Sequence, residues 1–286
     1  MCQNSPVNEG SVIAPGENDT VDTTSDLAVS VASSTTSIAS SVLRFRIENG
    51  RTYHSYKEGK YSYPNDQKEN ERLGLQHNLM LLTLHEKLGL APPNDQDFRV
   101  KRVLDVGTGT GLWAIDFADE HPDAEVLGTD LSPVQTTHVP PNAKFEIDDV
   151  EEPWTYSQPF DYIHVRGMTS SISDWKKCFG QCFANLEPGG YLELQEGHMR
   201  PECDDGTLTH NHYKLLGEWT EENFMEGIEA WTLAPLTRAL EWTREEVLVF
   251  LTQVRKELRD RSIHAYLPIF VIHGRKPLQA GDEGEQ

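Results

Sequence analysis

The stretch KRVLDVGTGTGLW at residues 101–113 constrains the fold of this chain more than any other. It begins with a short apolar run that stops at a glycine cluster, which is typical of a buried strand. The glycines, Gly107, Gly109 and Gly111, permit a tight turn and a close approach of the backbone to a ligand. From Leu112 the apolar residues recur at helical spacing. The pattern predicts a strand, a glycine turn and a helix, with amide N–H groups pointing into a nucleotide-type pocket.

Asp105 narrows the choice of ligand for this pocket. A carboxylate two residues before the first glycine would repel a pyrophosphate, but it suits a ligand that carries an amine and a sulfonium. The spacing Gly-x-Gly-x-Gly also differs from the Gly-x-Gly-x-x-Gly spacing of dinucleotide sites. We therefore infer S-adenosylmethionine as the ligand. The alternative is a strand, turn and helix that bind no ligand.

The acidic composition limits the partners of this 286-residue chain. Its formal net charge is −21, and because such a surface repels phosphate backbones, we expect no direct contact with nucleic acid. No apolar run approaches the roughly 20 residues of a membrane span, and we expect no signal peptide. Cys178 and Cys182 share the apolar face of a predicted helix, which favours buried thiols over a metal site. The sequence predicts a soluble protein of the cytoplasm, with the nucleus as the alternative.

Strands alternate with helices along the middle of the chain. After the glycine turn we predict strands at 125–130, 144–148, 160–166 and 191–196, and helices at 68–88, 173–186 and 243–259. This alternation predicts an α/β fold with a doubly wound, Rossmann-like sheet that is mostly parallel and binds its ligand at the carboxyl ends of the strands. Asp130 ends the second strand roughly 20 residues beyond the glycines, where a carboxylate hydrogen-bonds ribose hydroxyls in this architecture.

Composition also divides the chain into segments. Residues 1–42 are rich in Ser and Thr and contain no Lys, Arg or aromatic residue, which predicts a disordered tail. Residues 278–286 are expected to form a second disordered tail. Between the tails we predict one domain, 43–277, divided into N-terminal lid and helices (43–98), cofactor-binding core (99–198), and C-terminal helices with an antiparallel strand (199–277). Tyr53, His54 and Tyr56 either fold over the ligand as a lid or belong to an amphipathic segment docked on the domain.

Four motifs together resemble the class I methyltransferases. They are VLDVGTGTG at 103–111, GTDLSP at 128–133, FEIDDVEEPW at 145–154 and LEPGGYLELQE at 186–196. More narrowly, the chain resembles the LaeA-like fungal methyltransferases, through RIENGRTYH at 46–54, LAPLTR at 233–238 and RDRSIHAY at 259–266. The resemblance implies an S-adenosylmethionine-dependent enzyme of fungal secondary metabolism that methylates a small molecule. Its alternative is a regulator that binds the cofactor within a multiprotein complex and turns over little small molecule.

The resemblance also assigns the residues that bind the methionine part of the cofactor. Asp105 would lie near the methionine amine, directly or through water. The amides from Gly107 to Gly111, with Thr108 and Gly109 between them, would hold the methionine carboxylate. A nicotinamide-dependent oxidoreductase is a third interpretation of the fold, and both Asp105 and the glycine spacing disfavour it.

Four further positions would bind the nucleoside part. Asp130 would take the ribose hydroxyls, and Leu131 would pack on the adenine. Asp149 would accept a hydrogen bond from the adenine amino group, while the Val150 amide would address the ring. Arg166, at the end of the fourth strand, would lie close to the sulfonium, so we expect it to pair with a carboxylate of the ligand or with an acid nearby.

A general base is needed only if the methyl acceptor must lose a proton. His198, just past the fifth strand, is the best-placed candidate, and an exposed loop histidine without a catalytic role is the alternative. Glu196 is the second candidate for the base.

The C-terminal region is too short for the usual sheet of this family. Residues 204–208 resemble the family segment after strand five, whereas 214–217 and 226–238 resemble much later ones. The intervening residues cannot form a helix and a strand, since a mean strand alone takes about 5–6 residues. We predict a six-stranded sheet that lacks the sixth family strand, with 266–273 antiparallel beside 191–196 as an edge. Either another segment covers this apolar edge, or the protein pairs or aggregates there.

Overall fold

The computed structural model describes residues 45–95, 97–136, 138–197, 202–203, 213–259 and 265–278. In chain order its elements are β1 (Arg46–Glu48), β2 (Arg51–Tyr53), α1 (Gln67–Thr83), a 3-10 turn (Pro92–Asn94), β3 (Arg102–Val106), α2 (Leu112–Glu120), β4 (Glu125–Asp130), β5 (Ala143–Ile147), β6 (Phe160–Arg166), α3 (Trp175–Asn185), β7 (Leu186–Gly197), β8 (Glu202–Cys203), α4 (Tyr213–Ala239), α5 (Arg244–Leu258), β9 (Ala265–Tyr266) and β10 (Ile269–Arg275). The predicted tail 1–42, the predicted base His198 and residues 279–286 lie outside the described residues.

Six of these strands form the central sheet, in the spatial order β10-β7-β6-β3-β4-β5. The strands β5, β4, β3, β6 and β7 run parallel to one another, and β10 runs antiparallel to β7. The strand that precedes the glycine turn, β3, therefore lies in the middle of the sheet with a parallel neighbour on each side. The predicted α/β fold with a mostly parallel sheet is confirmed.

The middle strand is buried on both faces, which explains its unbroken apolar run. Val103 packs on one face with Trp113 and Phe117 of α2. Leu104 packs on the opposite face, in a cluster that includes α3. All four of these side chains are at most 1% exposed. Helices thus cover the two faces of the sheet and leave the strand ends as its accessible edges.

The predicted helix that carries the two cysteines forms as α3. Cys178 and Cys182 lie in the cluster on the Leu104 face of the sheet and are 1% and 0% exposed, as free thiols. They are core side chains. None of the described helices combines the length and the apolarity needed to cross a membrane.

The edge strand β10 has the predicted position and direction. Its register against β7 runs from Ile269 opposite Gly197 to Arg275 opposite Tyr191. In the described part of the chain no further strand joins the sheet, and residues 213–239 form the helix α4 where a seventh strand would have to be drawn. The six-stranded sheet is therefore confirmed. The side chain of Ile272 is 63% exposed on this edge, and association along it stays a prediction.

The helix α1 ends earlier than its periodicity predicts. The apolar pattern continues to Leu88, but the helix ends at Thr83 and the chain turns through His85 and Glu86, whose φ angles are 57° and 64°. The Glu86 amide donates to the carbonyl of Leu81 at 2.8 Å, which closes the turn. Left-handed backbone of this kind ends a right-handed helix whatever the side-chain spacing beyond it.

A buried polar cluster fixes α1 against α4. Arg72 of α1 pairs with Glu69 at 2.7 Å and donates to Asn223 of α4 at 2.8 Å. Arg72 and Glu69 are 5% and 3% exposed, so neither charge is buried without a partner. Two residues further along α1, a Cβ on Gly74 would lie 3.8 Å from Leu112 of α2. The cluster thereby holds α1 beside the start of α2, next to the glycine turn.

Candidate functional site

The glycine turn has a backbone that requires glycine. The φ angles of Gly107, Gly109 and Gly111 are 70°, 56° and 82°, a left-handed region that side chains disfavour. A Cβ on Gly107 would lie 2.2 Å from the sulfur of Met168, and one on Gly111 would lie 2.5 Å from the ring of Phe145. Neighbouring side chains therefore fill the space that a larger residue would need. The predicted tight turn is present at the carboxyl end of β3.

Asp105 lies beneath this turn, with its carboxylate held from two sides. It is 3% exposed. Nδ1 of His164, on the neighbouring strand β6, donates to Oδ1 at 2.8 Å, and the hydroxyl of Thr108 donates to Oδ2 at 2.6 Å. Because each carboxylate oxygen accepts about two hydrogen bonds, both oxygens keep capacity for an additional donor. An ammonium group of a ligand could therefore be a third partner of this carboxylate.

Asp130 lies at the end of β4, where it meets the same turn. Its Oδ2 accepts from the Gly109 amide and its Oδ1 from the Ser132 amide, each at 2.9 Å. Burial raises the pKa of the Asp130 carboxyl above its ordinary value, and the hydrogen bonds from Ser132 and Gly109 oppose that shift. The ionised carboxylate thus lacks solvation that ligand hydroxyl groups could supply.

The turn amides are partly occupied within the protein. Thr108 donates its amide to the Thr129 carbonyl and Gly111 donates to the Thr108 carbonyl, both at 2.9 Å, while the Gly109 amide is taken by Asp130. These three amides are therefore committed to the shape of the turn. The predicted contact between the turn amides and a methionine carboxylate stays a prediction, and it must fall on other atoms of the turn or displace one of these bonds.

Asp149 is the predicted acceptor for the adenine amino group, and in the structure it holds an ion pair. Both of its carboxylate oxygens accept from Nζ of Lys60, and Oδ1 also accepts from the Glu151 amide at 3.0 Å. The Asp149 residue is 2% exposed. The adjacent Val150 carbonyl accepts from the indole nitrogen of Trp154 at 2.9 Å. An adenine amino group at Asp149 would have to share the carboxylate with Lys60 or replace it.

Lys60 belongs to a segment that contacts three loops at the carboxyl ends of the strands, and we call residues 54–65 the strap. Besides the Lys60 contact with Asp149, its bonds join Lys57 to Glu152 (2.6 Å), Tyr63 to Ser170 (2.9 Å) and Asn65 to Ser132 (3.4 Å). These partners follow β5, β6 and β4 respectively. The strap therefore borders the predicted cofactor site.

Two of the lid residues proposed from the sequence are buried, and other residues of the strap make the contacts with the loops. Tyr53 and His54 are 1% and 2% exposed and pack in the interior, whereas Lys57, Lys60 and Tyr63 reach the loops. Local sequence carries no sign of these three contacts, because each joins residues about ninety or more positions apart.

Arg166 ends β6 and reaches an acid through a histidine. Its guanidinium donates to Nδ1 of His77 at 3.0 Å, and Nε2 of His77 lies 2.8 Å from Oδ2 of Asp116 on α2. Since Nδ1 accepts, Nε2 carries the hydrogen that Asp116 receives. Burial lowers the pKa of the Arg166 guanidinium, and the negative charges of Asp105 and Asp116 oppose the shift. Arg166 has no direct contact with an acid among the described residues and is linked to Asp116 through His77, which helical spacing alone marks as a packing residue. Its pairing with a carboxylate of the ligand stays a prediction.

Of the two candidate bases, His198 and Glu196, the structure describes only Glu196. His198 lies outside the described residues. Glu196 accepts from the Met168 amide at 2.8 Å, and its other oxygen accepts from the amide and hydroxyl of Thr169 at 3.1 and 2.6 Å. Glu196 therefore anchors the loop after β6, and a role as a base stays a prediction.

The residues present fit S-adenosylmethionine. The buried carboxylate of Asp105 and the half-buried carboxylate of Asp130 both have unused acceptor capacity, and they flank a turn whose left-handed backbone favours glycine. Asn65 donates from its amide nitrogen to the Ser132 hydroxyl at 3.4 Å, and its buried side-chain oxygen has no hydrogen-bond partner among the described residues. Buried oxygens of this kind are costly unless a donor reaches them. The set offers acceptors for an ammonium group and for hydroxyl groups.

Comparisons with known proteins agree with this chemistry. The methyltransferase-domain family matches residues 75–243. Methyltransferase pytC of Aspergillus terreus is 38% identical over an alignment that covers 86% of this chain and 92% of pytC. The secondary metabolism regulator LAE1 of Cochliobolus heterostrophus is 33% identical, over 82% of this chain and 95% of LAE1. The protein-methionine methyltransferase laeA of Emericella nidulans is 30% identical, over 82% of this chain and 78% of laeA. The chain therefore belongs to the methyltransferase family, whose methyl donor is S-adenosylmethionine, in the group that includes pytC and the LaeA-type proteins.

Proposed function

We propose that this protein transfers a methyl group from S-adenosylmethionine to a small molecule of fungal secondary metabolism. The observation that carries the proposal is the pair of carboxylates at the glycine turn, the buried Asp105 and the half-buried Asp130, each fixed by hydrogen bonds and each with capacity for a ligand donor. The similarity to pytC over most of both chains supports the enzymatic assignment. The names of the LaeA-type relatives support the link to secondary metabolism.

Each site residue has one task in this proposal. Asp105 accepts from the methionine ammonium group, and Asp130 accepts from the ribose hydroxyls. Leu131, Asp149 and the Val150 amide border the adenine. Asp105 and Asp130 project from neighbouring strands beside one turn, so together they would fix both ends of an extended ligand.

Arg166 lies at the end of β6, on the other side of β3 from Asp130. It is held by His77 and carries no direct ion pair among the described residues, so its charge is available to a carboxylate of the cofactor or of the acceptor. Such a contact would offset the burial that lowers its pKa.

The methyl donor supplies a methyl group that is already activated by its bond to a positively charged sulfur. The protein therefore contributes chiefly by holding donor and acceptor in line, which can lower a barrier by about 7–11 kcal/mol. Removal of a proton from the acceptor by His198 would add about 10²–10⁴-fold. Glu196 is the alternative base.

The second candidate function is a regulatory protein that binds the cofactor within a multiprotein complex. It is favoured by relatives named as secondary metabolism regulators, three of which are 30–33% identical over 81–82% of this chain. We propose a cytoplasmic location for the small-molecule enzyme, whereas the regulator would act in the nucleus. The formal charge of −21 disfavours direct binding of nucleic acid in either case.

A transfer experiment separates the two functions. The full chain is incubated with methyl-labelled S-adenosylmethionine and an extract of a producing fungus, and the extract is then split into small molecules and proteins. Label that enters the small-molecule fraction, and that is lost with an Asp105→Asn variant, supports the proposal. Label found only on protein, or cofactor binding without any transfer, contradicts it and favours the regulator.

A further inference from the structure

The strand beside β3 contributes a buried histidine to the predicted cofactor site. His164 lies directly opposite Asp105 in the parallel register of β6 and β3. It is 0% exposed, and its ring stacks on the indole of Trp113 with the centroids 3.7 Å apart and the planes 6° from parallel. A carboxylate oxygen can only accept, so the hydrogen of the 2.8 Å contact lies on Nδ1 of His164. Packing against Trp113 therefore aims this N–H at Asp105.

The second oxygen of Asp105 is fixed independently. The Thr108 hydroxyl donates to it at 2.6 Å, and the Thr108 amide is itself tied to the Thr129 carbonyl at 2.9 Å. One oxygen is thus held by the neighbouring strand and the other by the glycine turn. With both oxygens held, the carboxylate cannot rotate about its Cβ–Cγ bond without losing a buried hydrogen bond.

We propose that His164 is a positioning residue of the cofactor site. It donates from Nδ1 to Asp105 and, together with Thr108, holds the carboxylate in the orientation that receives the methionine ammonium group. The inference rests on the proposed function, because it assigns Asp105 to that ammonium group. His164 itself does not touch the cofactor in this account. Support of this kind lets a site bind without ordering its own side chains first.

Paired substitutions test the role of the N–H group. Asparagine places an amide nitrogen where Nδ1 of the imidazole lies, whereas leucine has a similar branched shape without a donor. We expect His164→Leu to weaken binding of S-adenosylmethionine and of S-adenosylhomocysteine by about tenfold or more, and His164→Asn to stay within about threefold of wild type. Binding of 5′-methylthioadenosine, which carries the nucleoside without the amino acid, should change little in either variant.

Tyr162→Phe is the matched control. Tyr162 lies two residues away on the same strand, and its hydroxyl makes a buried hydrogen bond to Glu193 at 3.0 Å and none to Asp105. This variant should lower the melting temperature and leave all three affinities unchanged. A His164→Leu variant that loses affinity for all three ligands equally would show a general structural defect and overturn the positioning role.

The remaining outcomes separate the two levels of inference. If the wild type binds S-adenosylmethionine and His164→Leu binds it equally well, the role of His164 is wrong while the proposed function stands. If the wild type binds none of the three ligands, both are wrong. If His164→Leu does not fold, nitrogen-15 NMR of the wild type decides. A slowly exchanging Nδ1 proton on His164 that shifts when S-adenosylhomocysteine binds supports the role, and its absence overturns it.

Discussion

Replacing Asp105 with asparagine removes one charge from the predicted site and keeps the shape of the side chain. The residue is 3% exposed, and the ammonium group of the cofactor would be a charged partner of the carboxylate. A hydrogen bond to a charged group contributes about 1.5–3 kcal/mol. Its loss corresponds to a dissociation constant that rises about 10- to 150-fold. Asparagine retains one oxygen for His164 or Thr108, so it should perturb the fold less than alanine, which leaves both donors unpaired.

Calorimetric titration measures this effect directly, with Asp119→Asn as the control. Asp119 lies exposed on α2, so the same chemical change there should leave the affinity unaltered. Asp105→Asn should also lose little affinity for 5′-methylthioadenosine, which lacks the ammonium group. A rise of less than about threefold in the dissociation constant of S-adenosylmethionine, well below that of a charged hydrogen bond, would remove Asp105 from the site.

Three further predictions follow from the same geometry. Burial raises the pKa of Asp130, so affinity for the nucleoside should begin to fall at a higher pH on acidification than it would with an ordinary aspartate. Asp130→Asn should bind weakly, with an affinity that does not depend on pH in this range. Dissociation constants measured across the acid range check both expectations. Gly107→Ala should lower the free energy of unfolding by at least about 1–2 kcal/mol, measured with denaturant. Gly74→Ala, in a helix with ordinary space for a Cβ, should raise it by about 0.5–1 kcal/mol. Equal effects of the two substitutions would contradict the strained turn. Lys60→Met should cost about 1–3 kcal/mol of stability because it leaves the buried Asp149 carboxylate without its cation, and an unchanged unfolding midpoint would show that the ion pair is absent in solution.

The strands of the sheet could be predicted closely from the sequence, because buried strands are rich in apolar and β-branched residues. The predicted spans 125–130 and 160–166 coincide with β4 and β6. Most interior residues of these segments are buried whichever face of the sheet they lie on, so no alternation between apolar and polar residues obscures them. The reduced strand number followed from chain length, since the residues between two recognisable segments cannot form another helix and strand. The early end of α1 could not be predicted, because left-handed turn residues follow an apolar pattern that continues beyond them.

The sequence indicated which carboxylates lie at the glycine turn, but not the long-range contacts around them. Asp105 and Asp130 are identified by their distance from the glycines, and both lie at the turn as expected. His77 and Lys60 reach Arg166 and Asp149 from 89 positions away in the chain, and no local pattern indicates such pairs. These two contacts form only when α1 and the strap pack against the sheet, and that packing depends on the tertiary structure as a whole.

His164 is an intermediate case. His164 is a polar residue between the apolar residues Ile163 and Val165 in the middle of a predicted strand, and this anomaly is visible in the sequence. A buried polar group needs a partner. The identity of that partner, Asp105, became evident only from the register of the two parallel strands.

The most direct test of the central claim is a calorimetric titration of the full chain with S-adenosylmethionine, S-adenosylhomocysteine and NAD under identical conditions. The account predicts binding of one equivalent of either adenosyl compound and none of NAD, since Asp105 lies where a pyrophosphate would be repelled. Binding of NAD without binding of S-adenosylmethionine would contradict the assignment of the glycine turn and of both carboxylates.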